Sequence, residues 1–106
     1  MFTHEMAEIL VECRLREMLI EDAINHPFRD IYAEQDWGIE STYGPSYSPA
    51  RWFGAGSGAE GMRYSRALQS LVKLGLVQRC VDSHSGRVLN ISLTPEGVEA
   101  ADKIGG

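Results

Sequence analysis

Between residues 3 and 24 apolar side chains return at helical spacing, which predicts the longest helix of the chain. Met6, Ile9, Leu10, Cys13, Ile20 and Ile24 make one stripe; Val11, Leu15 and Met18 make a second, turned well away from the first. Thr3 suits the N-cap, and Glu5 and Glu8 suit the positive end of the helix dipole. A helix that is apolar on two sides must bury both. In a chain of 106 residues the second side is expected to meet another subunit, so Val11, Leu15 and Met18 predict a homodimer interface. Asn25-His26-Pro27 ends the helix, because the residue before a proline is pushed out of the helical region.

The pattern then breaks down. Residues 28–35 suit a short helix, whereas residues 36–49, rich in Gly, Pro, Ser and Tyr, have no period and read as an irregular loop. Trp37, Tyr43, Tyr47 and Trp52 gather around it. They suit a lid over a small core or, alternatively, a cleft for a small-molecule effector.

From Ser48 onward the pattern is clear. Ser48-Pro49 reads as an N-cap with proline at the first helical position, opening a short helix over 49–53. Residues 62–74 predict a helix whose core face is Tyr64, Ala67, Leu68, Leu71 and Leu74, with Arg63, Arg66, Ser70 and Lys73 on the other side and Gly75 as its stop. Strand-like runs at 76–81 and 88–93 flank a polar, glycine-containing connection and predict a hairpin, with Leu89, Ile91 and Leu93 facing inward. Thr94-Pro95 then starts a last helix that turns Val98, Ala101 and Ile104 to the core.

Between the two middle helices stands GAGSGAEG, in which Gly56 to Gly61 spell GxGxxG. A dinucleotide fingerprint needs a strand before it and βαβ units around it. Here a short helix precedes it, and no Gly-Lys-Ser or Gly-Lys-Thr follows to make a phosphate loop. The stretch therefore reads as a turn between helices. Its free backbone amides, with Ser57, Arg63 and Arg66 nearby, still suit a phosphate of a nucleic-acid backbone.

Composition alters this picture mainly through the placing of charge. The net charge of −5 speaks against a nucleic-acid partner until it is divided. Residues 1–50 hold three arginines against ten acids, whereas residues 51–93 hold six cations against two acids. That asymmetry suits a basic working surface on an acidic body. Two distant cysteines, Cys13 and Cys80, fit free thiols in a reducing compartment. With no apolar run near the ~20 residues of a bilayer span and no signal-peptide pattern, a cytoplasmic protein is expected.

The order of short helix, turn, basic-faced helix, hairpin and capped final helix resembles a winged helix-turn-helix domain. The run from Ser65 to Arg79, with its leucines and Gly75-Leu76-Val77 ending, resembles the recognition helix and first wing strand of MarR-like bacterial regulators. Ile91 to Gly97, read as strand-Leu-Thr-x-x-Gly, resembles the junction that closes their wing. The resemblance implies an α+β fold, mainly helical with a small hairpin, over a single domain: a dimerisation helix at 1–26, an irregular connection at 27–49, and helix-turn-helix, wing and final helix at 50–106. It implies a dimeric DNA-binding transcriptional regulator. Arg63, Ser65, Arg66, Gln69, Ser70 and Lys73 would line the major groove, Ser57 the turn before it, and His84, Ser85 and Arg87 the wing tip.

Other classes have less to stand on. His4, His26 and His84 are scattered and no Cys/His cluster has zinc spacing, so neither catalysis nor a metal or cofactor is expected. A winged helix used for protein association, or one bound to RNA, is the alternative.

Overall fold

A computed structural model describes residues 2–25, 40, 42–56 and 58–105. Its elements are α1 (His4–Asn25), α2 (Pro49–Phe53), α3 (Ala59–Lys73), β1 (Val77–Val81), β2 (Val88–Leu93) and α4 (Pro95–Gly105). The fold is α+β: mostly helical, with one antiparallel hairpin in which Val77 pairs with Leu93 and Arg79 with Ile91. The predicted helix over 28–35 and most of the 36–49 loop, including Trp37, lie outside the described residues, as does Ser57.

Caps set the helix boundaries. The Met6 amide donates to Thr3 Oγ1 at 3.2 Å, the Arg51 amide to Ser48 Oγ at 3.4 Å, and the Gly97 amide to Thr94 Oγ1 at 3.0 Å. The end of α3 is closed by Leu76 N–H to Leu71 O at 3.0 Å and Gly75 N–H to Val72 O at 3.1 Å, with Gly75 at φ +75°. That paired arrangement needs a left-handed residue, which glycine adopts without a steric penalty. Thr94 Oγ1 also donates to the Gly75 carbonyl at 2.7 Å, so one hydroxyl joins the end of α3 to the start of α4.

The core lies where α1 crosses α3 and β2. Ile9, Leu10 and Cys13 of α1, Leu71 of α3 and Ile91 of β2 are fully buried. Glu17 fastens α1 to the sheet, accepting the Leu93 amide at 2.7 Å. Burial, with the nearby Glu17 carboxylate, pushes the Cys13 thiol pKa upward, so Cys13 is a neutral packing group. Gly97 is required at the start of α4, because a Cβ there would strike the Leu76 carbonyl.

Several inward assignments need correction. Leu74 is exposed: it is the C-cap of α3, still helical and bonded to the Ser70 carbonyl at 3.0 Å, but the chain reverses at Gly75 immediately after it. Ile104, near the last turn of α4, is exposed as well. In β2, Ile91 faces the core, but Leu89 is exposed and Asn90 is buried. Two features are responsible: Cys80 pairs with Asn90 and Val81 with Val88, which leaves Leu89 as the extra residue of a β-bulge, and a third extended segment lies beside Asn90. Ser46 bridges Asn90 on the free edge of β2, with the Tyr47 amide donating to Leu89 O at 2.9 Å and the Ile91 amide to Pro45 O at 3.2 Å. The Asn90 amide group donates to the Gly44 carbonyl at 2.9 Å, satisfying its buried side chain. Part of the stretch expected to be irregular is therefore an edge strand of one bridge.

Candidate nucleic-acid interface

Helix α3 is sorted by its own periodicity. Tyr64, Ala67, Leu68 and Leu71 are buried, so the opposite side carries Met62, Arg66, Gln69 and Lys73, all exposed. These four stand at i, i+4, i+7 and i+11 and form one stripe. Met62 was not among the expected contacts; an apolar residue at the start of a helix gives no signal until the helix's full extent is known. That extent differs from expectation, because α3 begins at Ala59 and takes Gly61 into its first turn.

The other expected residues of α3 lie on its flanks. Arg63 points toward α1, with Nε 3.5 Å from Glu5 Oε1, so its charge is already answered within the fold. Ser70 is half-buried. Ser65 is exposed on the opposite flank, where it lines a groove with Ser48, Pro49, Leu68, Arg87 and Val88. That groove brings the N-terminal end of α2, the side of α3 and the hairpin together. A second concavity runs on from Ser48 and Ser65 to Gly56, Gly58 and Met62.

At the hairpin tip His84 and Arg87 are exposed. Ser85 is exposed too, but its hydroxyl accepts the Arg87 amide at 3.2 Å and bonds to the Asp82 carboxylate, which engages it within the turn. Asp82 accepts the His84 amide at 2.9 Å. That bond first, then the Ser85 hydroxyl, holds its carboxyl below the usual range.

Arginine and lysine partners divide the molecule. Arg14 pairs with Asp102 at 3.1 Å, Arg16 with Glu12 at 3.0 Å, Lys103 with Glu99 at 3.3 Å, and Arg63 with Glu5. Among the described residues Arg66, Lys73, Arg79 and Arg87 make no such pair, and all four are exposed. Arg79, on β1, is an exposed cation that was not among the expected contacts. Arg51 on α2 is another, its guanidinium donating to Ser46 Oγ at 2.9 Å.

Of the four rings expected to gather here, three lie among the described residues. Tyr47 and Trp52 are buried, edge-to-face with centroids 4.9 Å apart, and the Trp52 indole donates to Ser46 O at 3.0 Å. The Arg16 guanidinium carbon lies 4.6 Å from the Trp52 ring centroid. Phe53 stacks on Tyr64 at 4.6 Å. Tyr43 is exposed. Trp52 and Tyr47 therefore close the core, the lid role that was the other reading of these rings.

On α1, Leu15 and Met18 are about half exposed at 50% and 45%, and Leu19 is more so at 66%. Val11 differs from them. It is half-buried and lines a groove with Ile104, so α4 of the same chain partly covers the stripe expected to meet another subunit.

No described helix is long and apolar enough to cross a membrane. No family model, curated protein or solved structure matches the chain.

Proposed function

We propose that this chain is a winged helix-turn-helix protein that binds duplex DNA as a transcriptional regulator, laying α3 along the major groove and the β1–β2 hairpin along the backbone. The observation that carries this reading is the segregation of unpaired cations. Arg66 and Lys73 on α3, with Arg79 and Arg87 on the hairpin, are exposed and ion-pair with nothing among the described residues. The order of elements supports it: an edge strand at Ser46, the short α2, a glycine corner, α3 and the hairpin follow the succession of a winged helix. Arg87 and Ser65 share one groove, which suits a backbone running between helix and wing. The acidic α1 lies on the buried side of α3, away from the duplex.

The same reading takes the protein as a homodimer through Leu15, Met18 and Leu19 of α1, whose exposure on one helix favours a second copy. Sedimentation of wild type and Leu15→Glu/Met18→Glu checks it: a dimer that becomes monomeric is expected, and a wild-type monomer at all concentrations removes the claim.

The DNA reading is tested by fluorescence anisotropy with random-sequence duplex at two salt concentrations, for wild type and Arg66→Ala/Lys73→Ala. Salt-steep binding that the variant weakens and makes less steep is expected, because each phosphate neutralised releases counterions. Exposed Met62 and Leu74 at the two ends of α3 favour a protein partner as the second reading. Absence of duplex binding at low salt, with wild type and variant alike, selects it.

A further inference from the structure

We infer that Arg66 and Gln69 are the base-reading pair of α3, and that the chain selects duplexes in which a G·C and an A·T pair stand side by side. This rests on the DNA-binding reading above. The cations of α3 and the hairpin separate by role. Arg63 is turned to Glu5 at 3.5 Å, on the flank nearest α1. Arg87 and Arg79 belong to the hairpin. Lys73 is the last residue of α3, and its ammonium is a point charge suited to phosphate. Arg66 alone is an arginine at the middle of the stripe diametrically opposite Tyr64, Ala67, Leu68 and Leu71.

Arginine's planar fork matches the two acceptors of guanine, and glutamine's amide matches the acceptor and donor of adenine. Gln69 follows Arg66 on the same exposed stripe. Three residues of helix rise about 4.5 Å, close to the roughly 3.4 Å between stacked base pairs, so the two side chains reach neighbouring pairs. Met62, one turn before Arg66 and 54% exposed, offers an apolar contact that suits a thymine methyl. Ser65 and Ser70 sit to the two sides of this stripe and take no part in base reading.

The experiment is selection from a randomised duplex pool with the full chain, followed by anisotropy on the selected duplex and on its single-pair substitutions. Arg66→Ala, Arg66→Lys, Gln69→Ala and Lys73→Ala are compared with wild type, each checked for an unchanged melting temperature. Wild type is expected to lose about tenfold or more when the selected G·C or its A·T neighbour is replaced. Arg66→Ala and Arg66→Lys should abolish discrimination at the G·C pair alone, Arg66→Lys while keeping the wild-type salt slope. Gln69→Ala should abolish it at the A·T pair alone, and Lys73→Ala should weaken all duplexes equally. Duplex binding in which Arg66→Ala and Gln69→Ala also weaken every duplex equally overturns the inference and leaves DNA binding standing. No wild-type binding to any duplex overturns the DNA reading and this inference with it.

Discussion

Along α3, Tyr64, Ala67, Leu68 and Leu71 are packed against the rest of the fold, whereas Met62, Arg66, Gln69 and Lys73 one half-turn away are exposed. The packed side leaves little undone: the Tyr64 hydroxyl donates to Glu8 at 2.8 Å, its ring stacks on Phe53, and Arg63 beside it meets Glu5. On the exposed side Arg66 and Lys73 have no carboxylate within reach among the described residues. The same fifteen-residue helix thus separates stability from recognition by angle alone. Two solvated cations contribute almost nothing to folding, so the fold does not call for them. A substitution on either side should move one property and spare the other.

Leu71→Ala is the largest break on the packed side. Leu71 is fully buried in the core cluster, and truncation removes its apolar contacts and leaves a cavity. A loss of about 2–5 kcal/mol in denaturant unfolding is expected. Duplex affinity, measured well below the unfolding midpoint, should stay within twofold of wild type. A large affinity loss in protein that is still folded would erase the distinction between the two sides.

Arg66→Ala/Lys73→Ala is the complementary break. Unfolding free energy should stay within about 0.5 kcal/mol of wild type, since both side chains are exposed and unpaired. Duplex affinity should fall by about 1–3 kcal/mol, and the salt slope by about 1 to 2. Destabilisation without a binding change would make this side part of the fold and not a working surface.

How legible this was in the sequence varies by element, and the reason is the range of the interactions. Ser48-Pro49 and Thr94-Pro95 act within four residues, and both caps stand where the local pattern put them, as does β2 at Val88–Leu93. Met6, Ile9, Leu10 and Cys13 are buried as the 3.6-residue period requires. Features set by distant partners were not legible. Ser46 is extended because Asn90 stands beside it, and Pro-Ser-Tyr carries no strand period of its own. Arg63 and Arg66 look equivalent in the sequence, yet Glu5, 58 positions away, engages only Arg63. Gly58 and Gly61 conceal the first turn of α3, because a helix start with Gly58 as its cap tolerates Gly61. The candidate surface was thus legible as a set of residues, and its internal division was not.

The boundary between the two sides can be sharpened at Tyr64. Burial, then the bond to Glu8 and the charges of Glu8, Glu5 and Glu60, push its phenol from 10.0 up to about 12. The neutral phenol is thus favoured by the fold. Its contribution is complete below pH 10, where the unfolded phenol is neutral too, and is lost as pH rises from 10 through 12. Tyr64→Phe keeps the stack on Phe53 and removes the bond. It should cost about 1 kcal/mol near neutral pH and flatten this part of the alkaline decline in melting temperature. An identical alkaline profile in the variant would assign the decline to other groups.

Tyr47 tests the packed side where its accounting is incomplete, and its effect should be the smallest and opposite in sign. Its ring packs edge-on against Trp52 at 4.9 Å, but its hydroxyl is buried and has no hydrogen-bond partner among the described residues. Burial accordingly pushes the phenol pKa upward, with Tyr64 and Cys13 as lesser causes. A buried polar group without a partner loses its hydration on folding and gains nothing in exchange. Tyr47→Phe retains the aromatic contact and deletes only that oxygen, so the variant should be as stable as wild type or more so, by up to about 1 kcal/mol. Thermal unfolding at neutral pH reads the sign directly. A loss exceeding 1 kcal/mol would mean the hydroxyl is satisfied in solution, and the core beneath α3 would then be as fully paired as the Glu5–Arg63 and Glu8–Tyr64 contacts at its edge.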